Sequence, residues 1–111
     1  MTIRDLLESN VGEVIHEGSD LERKISHPFC CDLLSLALSK AGEGSAWVTV
    51  MGNVNTLAVA SLTEVSCIIL AEGTDLDEAA RERAREGSIC VIRSSLPVFD
   101  TALKIYQLIH G

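Results

Sequence analysis

Apolar and polar residues alternate along the chain in blocks, and the spacing within the blocks changes between that of a strand and that of a helix. From residue 45 onward, strand-like and helix-like blocks follow each other in the order 46–51, 55–65, 66–73, 75–87, 89–95 and 97–111. The stretches 66–71 and 89–92 are apolar at nearly every position, which is typical of strands covered on both faces. The alternation predicts right-handed βαβ crossovers and a mostly parallel sheet.

The first half of the chain is less regular. A short amphipathic helix is predicted to begin at Thr2, followed by strands at 13–18 and 23–31 and a helix at 32–41. Pro28 lacks a backbone N–H group, so the segment that carries it is predicted to lie at a sheet edge or in a bulge. The fold class predicted for the chain is therefore a small α/β domain of two or three layers.

Residues at the helix ends agree with these boundaries. Asp32 is placed to cap the helix at 32–41 or to favour its amino end. Asp75, with Glu78 three residues later, resembles a capping box for the acidic helix at 75–87. Gly87 is predicted to end that helix in the left-handed conformation.

Length and composition limit the function classes. A chain of 111 residues predicts one domain spanning residues 1–111. Although 47% of its residues are hydrophobic, no apolar run approaches the ~20 residues needed to cross a bilayer. The amino terminus has no apolar core of a secretory signal, so we expect a cytoplasmic protein without membrane association. The formal net charge of −7 argues against a nucleic-acid partner, because such binding depends on Lys and Arg at phosphates.

The four cysteines form no C-x-x-C motif. Cys67 and Cys90 lie in apolar strand-like segments, where a reduced, buried and unreactive thiol is expected. Cys30 and Cys31 are adjacent, and a strand would direct them to opposite faces. For this pair a structural role and a role as zinc or iron–sulfur ligands both stay open, while no metal site and no cofactor are predicted for the chain as a whole.

The predicted carboxyl edge of the sheet carries the candidate ligand site, because open parallel sheets bind ligands beyond the carboxyl ends of their strands. Loops there fall at 51–55, 72–75 and 93–96, and the middle one carries two carboxylates. A small anionic ligand would therefore lie between the first and third loops, on helix N–H groups and small polar residues. The candidate ligand-binding residues are Gly52, Asn53, Asn55, Ser94 and Ser95. The alternative is that these residues only turn the chain and cap helices.

No catalytic constellation accompanies this site. The three histidines are dispersed, and neither the G-x-G-x-x-G fingerprint nor the G-x-x-x-x-G-K-[ST] loop occurs. A non-enzymatic protein is therefore predicted, ahead of a small transferase or hydrolase.

The segment 25–38 contains more large apolar residues than one buried face of a strand and a short helix needs. The excess predicts an exposed apolar patch that contains Phe29, Leu33 and Leu36, and a patch of this kind marks an interface. A homodimer is the commonest outcome for such a chain. The alternative is that the extra leucines pack under the amino-terminal helix.

The run from "CDLLSLAL" through "GNVNTLAVASLTEVSCIILAEGTDLDEAARERAREG" to "FDTALKIYQL" resembles the DRTGG domain family. The resemblance covers roughly the whole chain and is strongest from residue 32 onward. It implies a fold like that of the amino-terminal domain of HPr kinase/phosphorylase. The DRTGG domain also occurs in some phosphotransacetylases and CBS-domain pyrophosphatases. The name-giving turn falls near residues 52–56, where its Asp, Arg and paired Gly are absent, and this makes the chain similar to the stand-alone variant of anaerobic bacteria and archaea.

The resemblance implies a regulatory and dimerising role without enzymatic activity. The leading hypothesis is a ligand-sensing domain that self-associates and binds a small anionic ligand such as an adenine nucleotide. The alternative hypothesis is an adaptor that binds a protein of a redox system, such as an iron hydrogenase, and has no small ligand.

Overall fold

The structure, a computed structural model, describes all residues from Met1 to Gly111. Five helices and five strands follow one another as α1 (Ile3–Glu8), β1 (Glu13–His16), β2 (Pro28–Cys30), α2 (Leu34–Lys40), β3 (Ala46–Thr49), α3 (Val54–Thr63), β4 (Cys67–Leu70), α4 (Glu78–Gly87), β5 (Val91–Arg93) and α5 (Val98–His110). None of these helices is long and apolar enough to cross a membrane.

The strands form one sheet in the order β1-β5-β4-β3-β2. The four strands β2 to β5 are parallel, and β1 runs antiparallel to β5 at one edge. Each of the crossovers from β2 to β5 moves the chain by one strand in the same direction, which places α2, α3 and α4 on one face. The prediction of an α/β domain with a mostly parallel sheet and βαβ crossovers is confirmed.

The sheet is covered on both faces, so the domain has three layers. Side chains of neighbouring strand residues point to opposite faces, and the two sets fall into separate core clusters. Val48, Ile69 and Ile92 pack with α1 and α5, whereas Trp47 and Ile68 pack with α2, α3 and α4. Burial on both faces explains why β4 consists only of apolar residues.

The strand β2 is shorter than the predicted segment 23–31. Pro28 is its first residue, and β2 lies at the sheet edge opposite to β1. This is where a residue without a backbone N–H group is tolerated. The prediction that Pro28 marks an edge strand is therefore confirmed.

The prediction that Asp32 caps α2 is wrong. The cap position is held by Leu33, which makes no side-chain capping bond. Asp32 Oδ1 instead accepts hydrogen bonds from Thr49 Oγ1 at 2.6 Å and from Val50 N at 2.9 Å. The carboxylate thus fixes the end of β3, because it accepts from a hydroxyl and an N–H group that make no hydrogen bond with a neighbouring strand.

The ends of α4 also differ from their predictions. Asp77, and not Asp75, is the capping residue, and its Oδ1 accepts a hydrogen bond from Ala80 N at 2.8 Å. Gly87 is the last helical residue, and Ser88 ends the helix in the left-handed conformation with φ 51°. Asp75 instead pairs with Arg81 and Arg93, as described below.

Candidate functional site

The carboxyl ends of β3, β4 and β5 and the first turns of α3, α4 and α5 lie at one edge of the sheet, which we call the carboxyl edge. The strands are parallel neighbours, so the loops that follow them open on the same side. The turn at 52–55 and the turn at 94–95 thus lie at the same edge, separated by the loop that follows β4.

Gly52 is packed against the loop that follows β4. Its carbonyl oxygen accepts a hydrogen bond from Asp77 N at 2.9 Å. A Cβ atom at this position would stand 2.2 Å from the carbonyl oxygen of Asp75. The glycine is therefore required for the close approach of two backbone segments.

Asn53 caps α3. Its Oδ1 accepts hydrogen bonds from Asn55 N at 3.0 Å and from Thr56 N at 3.2 Å. Two of the N–H groups that a helix terminus offers to a ligand are thus bonded within the protein. Asn55 itself is exposed, and its side chain makes no hydrogen bond with the protein.

Ser94 is fully buried, whereas Ser95 is exposed. The Ser94 hydroxyl lies 2.9 Å from Thr101 Oγ1, and it accepts a hydrogen bond from Leu96 N at 3.1 Å. These bonds tie the end of β5 to the first turns of α5, and they use a hydroxyl that would otherwise be buried without a partner.

Arg93, the last residue of β5, precedes the two serines and is paired with carboxylates. Its guanidinium forms ion pairs with Glu13 at 3.3 Å and with Asp75 at 3.2 Å. Asp75 also pairs with Arg81 at 2.6 Å, and the hydrogen bond from Arg81 is the main reason that the pKa of Asp75 is lowered. The positive charge of Arg93 beside the third loop is therefore already neutralised by carboxylates.

The five candidate ligand residues thus share one edge and have different surroundings. Gly52, Asn53 and Ser94 have roles within the fold, in close packing, helix capping and a buried hydrogen bond. Asn55 and Ser95 are exposed and remain accessible to a ligand.

The cysteines divide into buried and exposed thiols. Cys67 and Cys90 are almost fully buried on neighbouring strands, and the hydrogen bond with Cys90, together with burial, raises the pKa of the Cys67 thiol. Cys31 is buried and donates to the carbonyl oxygen of Leu33, whereas Cys30 is exposed. The chain contains no group of three or more His, Cys, Asp or Glu residues that could hold a metal ion.

A cavity of about 260 Å³ lies at the opposite edge of the sheet, between the loop from β1 to β2 and the carboxyl ends of α3 and α4. We call it the amino-edge cavity. Sequence reasoning missed it, because the rule for open parallel sheets directs attention to the carboxyl edge. Its polar members come from three separate loops, and no motif links them.

A further surface surrounds the edge strand β2. Cys30 is exposed at this edge, and α2 beside it exposes Leu33 and Leu36 to 59% and 46%. Phe29 is partly buried against the core. Helix α5 packs beneath β2. Its exposed large apolar residues are Leu108, on the same flank as Thr101, and the three residues Phe99, Leu103 and Tyr106.

These three residues of α5 lie on one flank of the helix, since their spacing is four and three residues. Thr101 lies on the other flank, where it bonds Ser94 at the end of β5. The apolar flank therefore faces away from β5, toward the side of β2. We call Leu33, Leu36, Phe29, Phe99, Leu103 and Tyr106 together the apolar edge surface.

No protein-family model matches the sequence, and no curated protein matches it. Among solved structures, the chain is similar to the crystal structure of the CBS and DRTGG domains of the regulatory region of a pyrophosphatase from Clostridium perfringens, complexed with the activator diadenosine tetraphosphate. The TM-score is 0.70 at 15% identity, over 96% of this chain and 46% of that one. The chain thus spans less than half of its structural neighbour, and at this identity the likeness shows a shared fold.

Proposed function

We propose that this chain is a non-enzymatic regulatory domain that acts by self-association through the apolar edge surface, as a DRTGG-like module. The observation that carries the proposal is the exposure of large apolar side chains on both sides of one edge strand, with Leu33 at 59% and Phe99 at 70%. Large exposed apolar side chains gathered around one sheet edge are typical of an interaction site. The shared fold with the regulatory region of a pyrophosphatase supports a regulatory role.

The edge strand itself supports a second copy of the chain as the partner. His27 and Cys31 bond to β3 through their backbone groups. Because alternate residues of a parallel strand bond to the same neighbour, the backbone groups of Cys30 face away from β3. A two-fold axis beside Cys30 would pair this strand with its copy and bring the two apolar edge surfaces together.

The test is the solution mass of the purified chain at micromolar concentration, by light scattering and sedimentation. We expect about twice the 11.9 kDa of one chain, and we expect Leu36→Glu to shift the population toward monomer. Leu62→Glu is the matched control, because Leu62 is 74% exposed on α3, outside the apolar edge surface. A mass of one chain at every concentration would reject self-association and favour the adaptor hypothesis, in which a redox protein covers the same surface.

A second function, binding of a small anionic ligand such as an adenine nucleotide, is favoured by one observation. The first turns of α3 and α5 both lie at the carboxyl edge, where Asn55 and Ser95 are exposed, and helix amino termini attract anions. The structural neighbour was crystallised with a dinucleotide activator. The carboxylates around Arg93 act against this binding.

Thermal denaturation with ATP, AMP and diadenosine tetraphosphate tests the second function. A ligand at a hundredfold excess over its Kd stabilises the folded chain by about 2.7 kcal/mol. The double variant Asn55→Ala/Ser95→Ala should lose this stabilisation, whereas Ser39→Ala, at the far end of α2, should keep it. Equal melting temperatures with and without each nucleotide would reject nucleotide binding and leave the self-association proposal untouched.

A further inference from the structure

The amino-edge cavity lies at the edge of the sheet opposite to the predicted ligand loops, and its walls are mostly polar. Arg23 and Asp20 reach it from the loop between β1 and β2, and Ser61 and Glu64 from the end of α3. The end of α4 closes the cavity with Gly87 and Ser88.

Arg23 supplies the positive side of the cavity. One of its five N–H groups donates to the carbonyl oxygen of Glu64, and its guanidinium forms no ion pair with any carboxylate of the chain. The side chain is partly buried, and its remaining N–H donors make no hydrogen bond with the protein. A planar fork of unused donors at a cavity is suited to a carboxylate.

Two helix ends supply the negative side. Helices α3 and α4 both end at the cavity, and the carboxyl end of each carries about half a negative charge. The carbonyl oxygens of Ser61 and Gly87, in the last turns of these helices, accept no backbone hydrogen bond. Carbonyls of this kind favour ammonium groups, and the carboxylates of Asp20 and Glu64 add to the negative potential.

The opposed charges decide the class of ligand. A simple anion would meet two helix carboxyl ends and two carboxylates in a chain of net charge −7, and a simple cation would meet Arg23. A zwitterion has no net charge and satisfies both sides. The volume of about 260 Å³ equals that of roughly nine liquid waters at ~30 Å³ each, so the cavity has room for a small organic molecule together with some water.

We propose that the amino-edge cavity binds a free α-amino acid, with the carboxylate on Arg23 and the ammonium group on the carbonyl ends of α3 and α4. This site is separate from the apolar edge surface and from the carboxyl edge, so it adds an independent input for a regulatory domain. It does not depend on nucleotide binding.

Calorimetric titration with glycine, alanine, serine and valine tests the proposal, with sodium acetate and methylammonium chloride as the two halves of the ligand. We expect at least one amino acid to bind at least tenfold more tightly than acetate and methylammonium. Arg23→Gln should weaken the binding of that amino acid at least tenfold. Arg83→Gln is the matched control, because Arg83 also lacks an ion pair but does not line the cavity.

A second variant separates binding from folding, because Arg23 also bonds the end of α3. Ser61 is exposed at the mouth of the cavity, so Ser61→Phe should fill the space without a loss of thermal stability. We expect this variant to abolish amino-acid binding at an unchanged melting temperature. Tight binding of acetate alone would show an ordinary anion site, and no heat from any amino acid at millimolar concentration would show a cavity that holds only water. Either result overturns the proposal.

Discussion

Gly52 lies against the backbone of Asp75, so closely that a Cβ atom at Gly52 would stand 2.2 Å from the Asp75 carbonyl oxygen. This contact joins the loop after β3 to the loop after β4. We expect Gly52→Ala to lower the free energy of unfolding by about 1–3 kcal/mol, the usual cost of overpacking, because a backbone segment cannot move aside as a flexible side chain can. Urea denaturation measures the effect.

Gly42→Ala is the control for this substitution. The atom nearest to a Cβ at Gly42 is His27 Cε1 at 3.4 Å, an ordinary contact. We expect this variant to be neutral or slightly stabilising, because alanine reduces the freedom of the unfolded chain. Equal stability of the two variants would show that the loops at the carboxyl edge can separate without cost.

The ion pairs of Asp75 predict a specific dependence of stability on pH. The hydrogen bond from Arg81 lowers the pKa of Asp75 below 3.8 in the folded chain. A carboxylate with a lowered pKa stabilises the fold above the unfolded pKa, and this contribution is lost as the pH falls through the folded pKa. The stability difference between the native chain and Asp75→Asn should therefore be constant above about pH 5 and shrink below pH 3.8.

Urea denaturation at several pH values measures this difference, which should be small because both partners are exposed to more than 40%. Glu43→Gln is the control, since Glu43 is exposed and forms no ion pair. A difference for Asp75→Asn that stays unchanged down to pH 2 would contradict the assignment.

Thiol labelling should distinguish Cys30 from the other cysteines. Cys30 is exposed, whereas Cys67 and Cys90 are almost fully buried. Burial and the charge of Asp32 raise the pKa of the Cys30 thiol, so its labelling should accelerate as the pH rises toward 9 and beyond. In the monomeric Leu36→Glu variant we expect one fast-reacting thiol, none when Cys30→Ala is added, and all four thiols only in denaturant. Fast labelling of Cys67 would contradict the predicted burial.

The carboxylate of Asp32 should contribute to stability although it caps no helix. Asp32→Ala leaves Thr49 Oγ1 and Val50 N without their partner, and loss of hydrogen bonds to a charged group costs about 1.5–3 kcal/mol. Asp32→Asn retains an acceptor oxygen, so it should recover most of the loss. Asp100→Ala, an exposed carboxylate without a hydrogen bond to the protein, is the control for removal of charge.

The sequence predicted most of the fold, because the segments from β3 to α5 have clear apolar periodicity and each is short and locally bounded. The helix caps show where local reasoning fails. Asp32 and Asp75 both occupy positions suited to capping, yet tertiary partners bind them more strongly: Thr49 and Val50 in one case, Arg81 and Arg93 in the other. A side chain with two competing sets of partners cannot be assigned from its neighbours in sequence alone.

The candidate site was predicted in part for a similar reason. The parallel sheet places the turns at 52–55 and 94–95 at one edge, as the order of strands and helices implies. The burial of Ser94 against Thr101 depends on the docking of α5 beneath the sheet, which the sequence does not encode locally. The amino-edge cavity depends on the long loop between β1 and β2, whose path no periodicity describes.

The order of strands has a consequence for how the chain folds. The strands β2 to β5 are spatial neighbours in their order along the chain, so each pairing closes a loop of one crossover only. The pairing of β1 with β5 instead joins residues 75 to 80 positions apart, such as Val14 and Ile92. The entropy that is lost in closing that loop is offset only when β1 pairs with β5, so β5 must be in place first. In the folded chain β1 has one neighbouring strand and is half exposed. The amide hydrogens of β1 should therefore exchange with solvent by local opening, well before those of β4, which reports global unfolding.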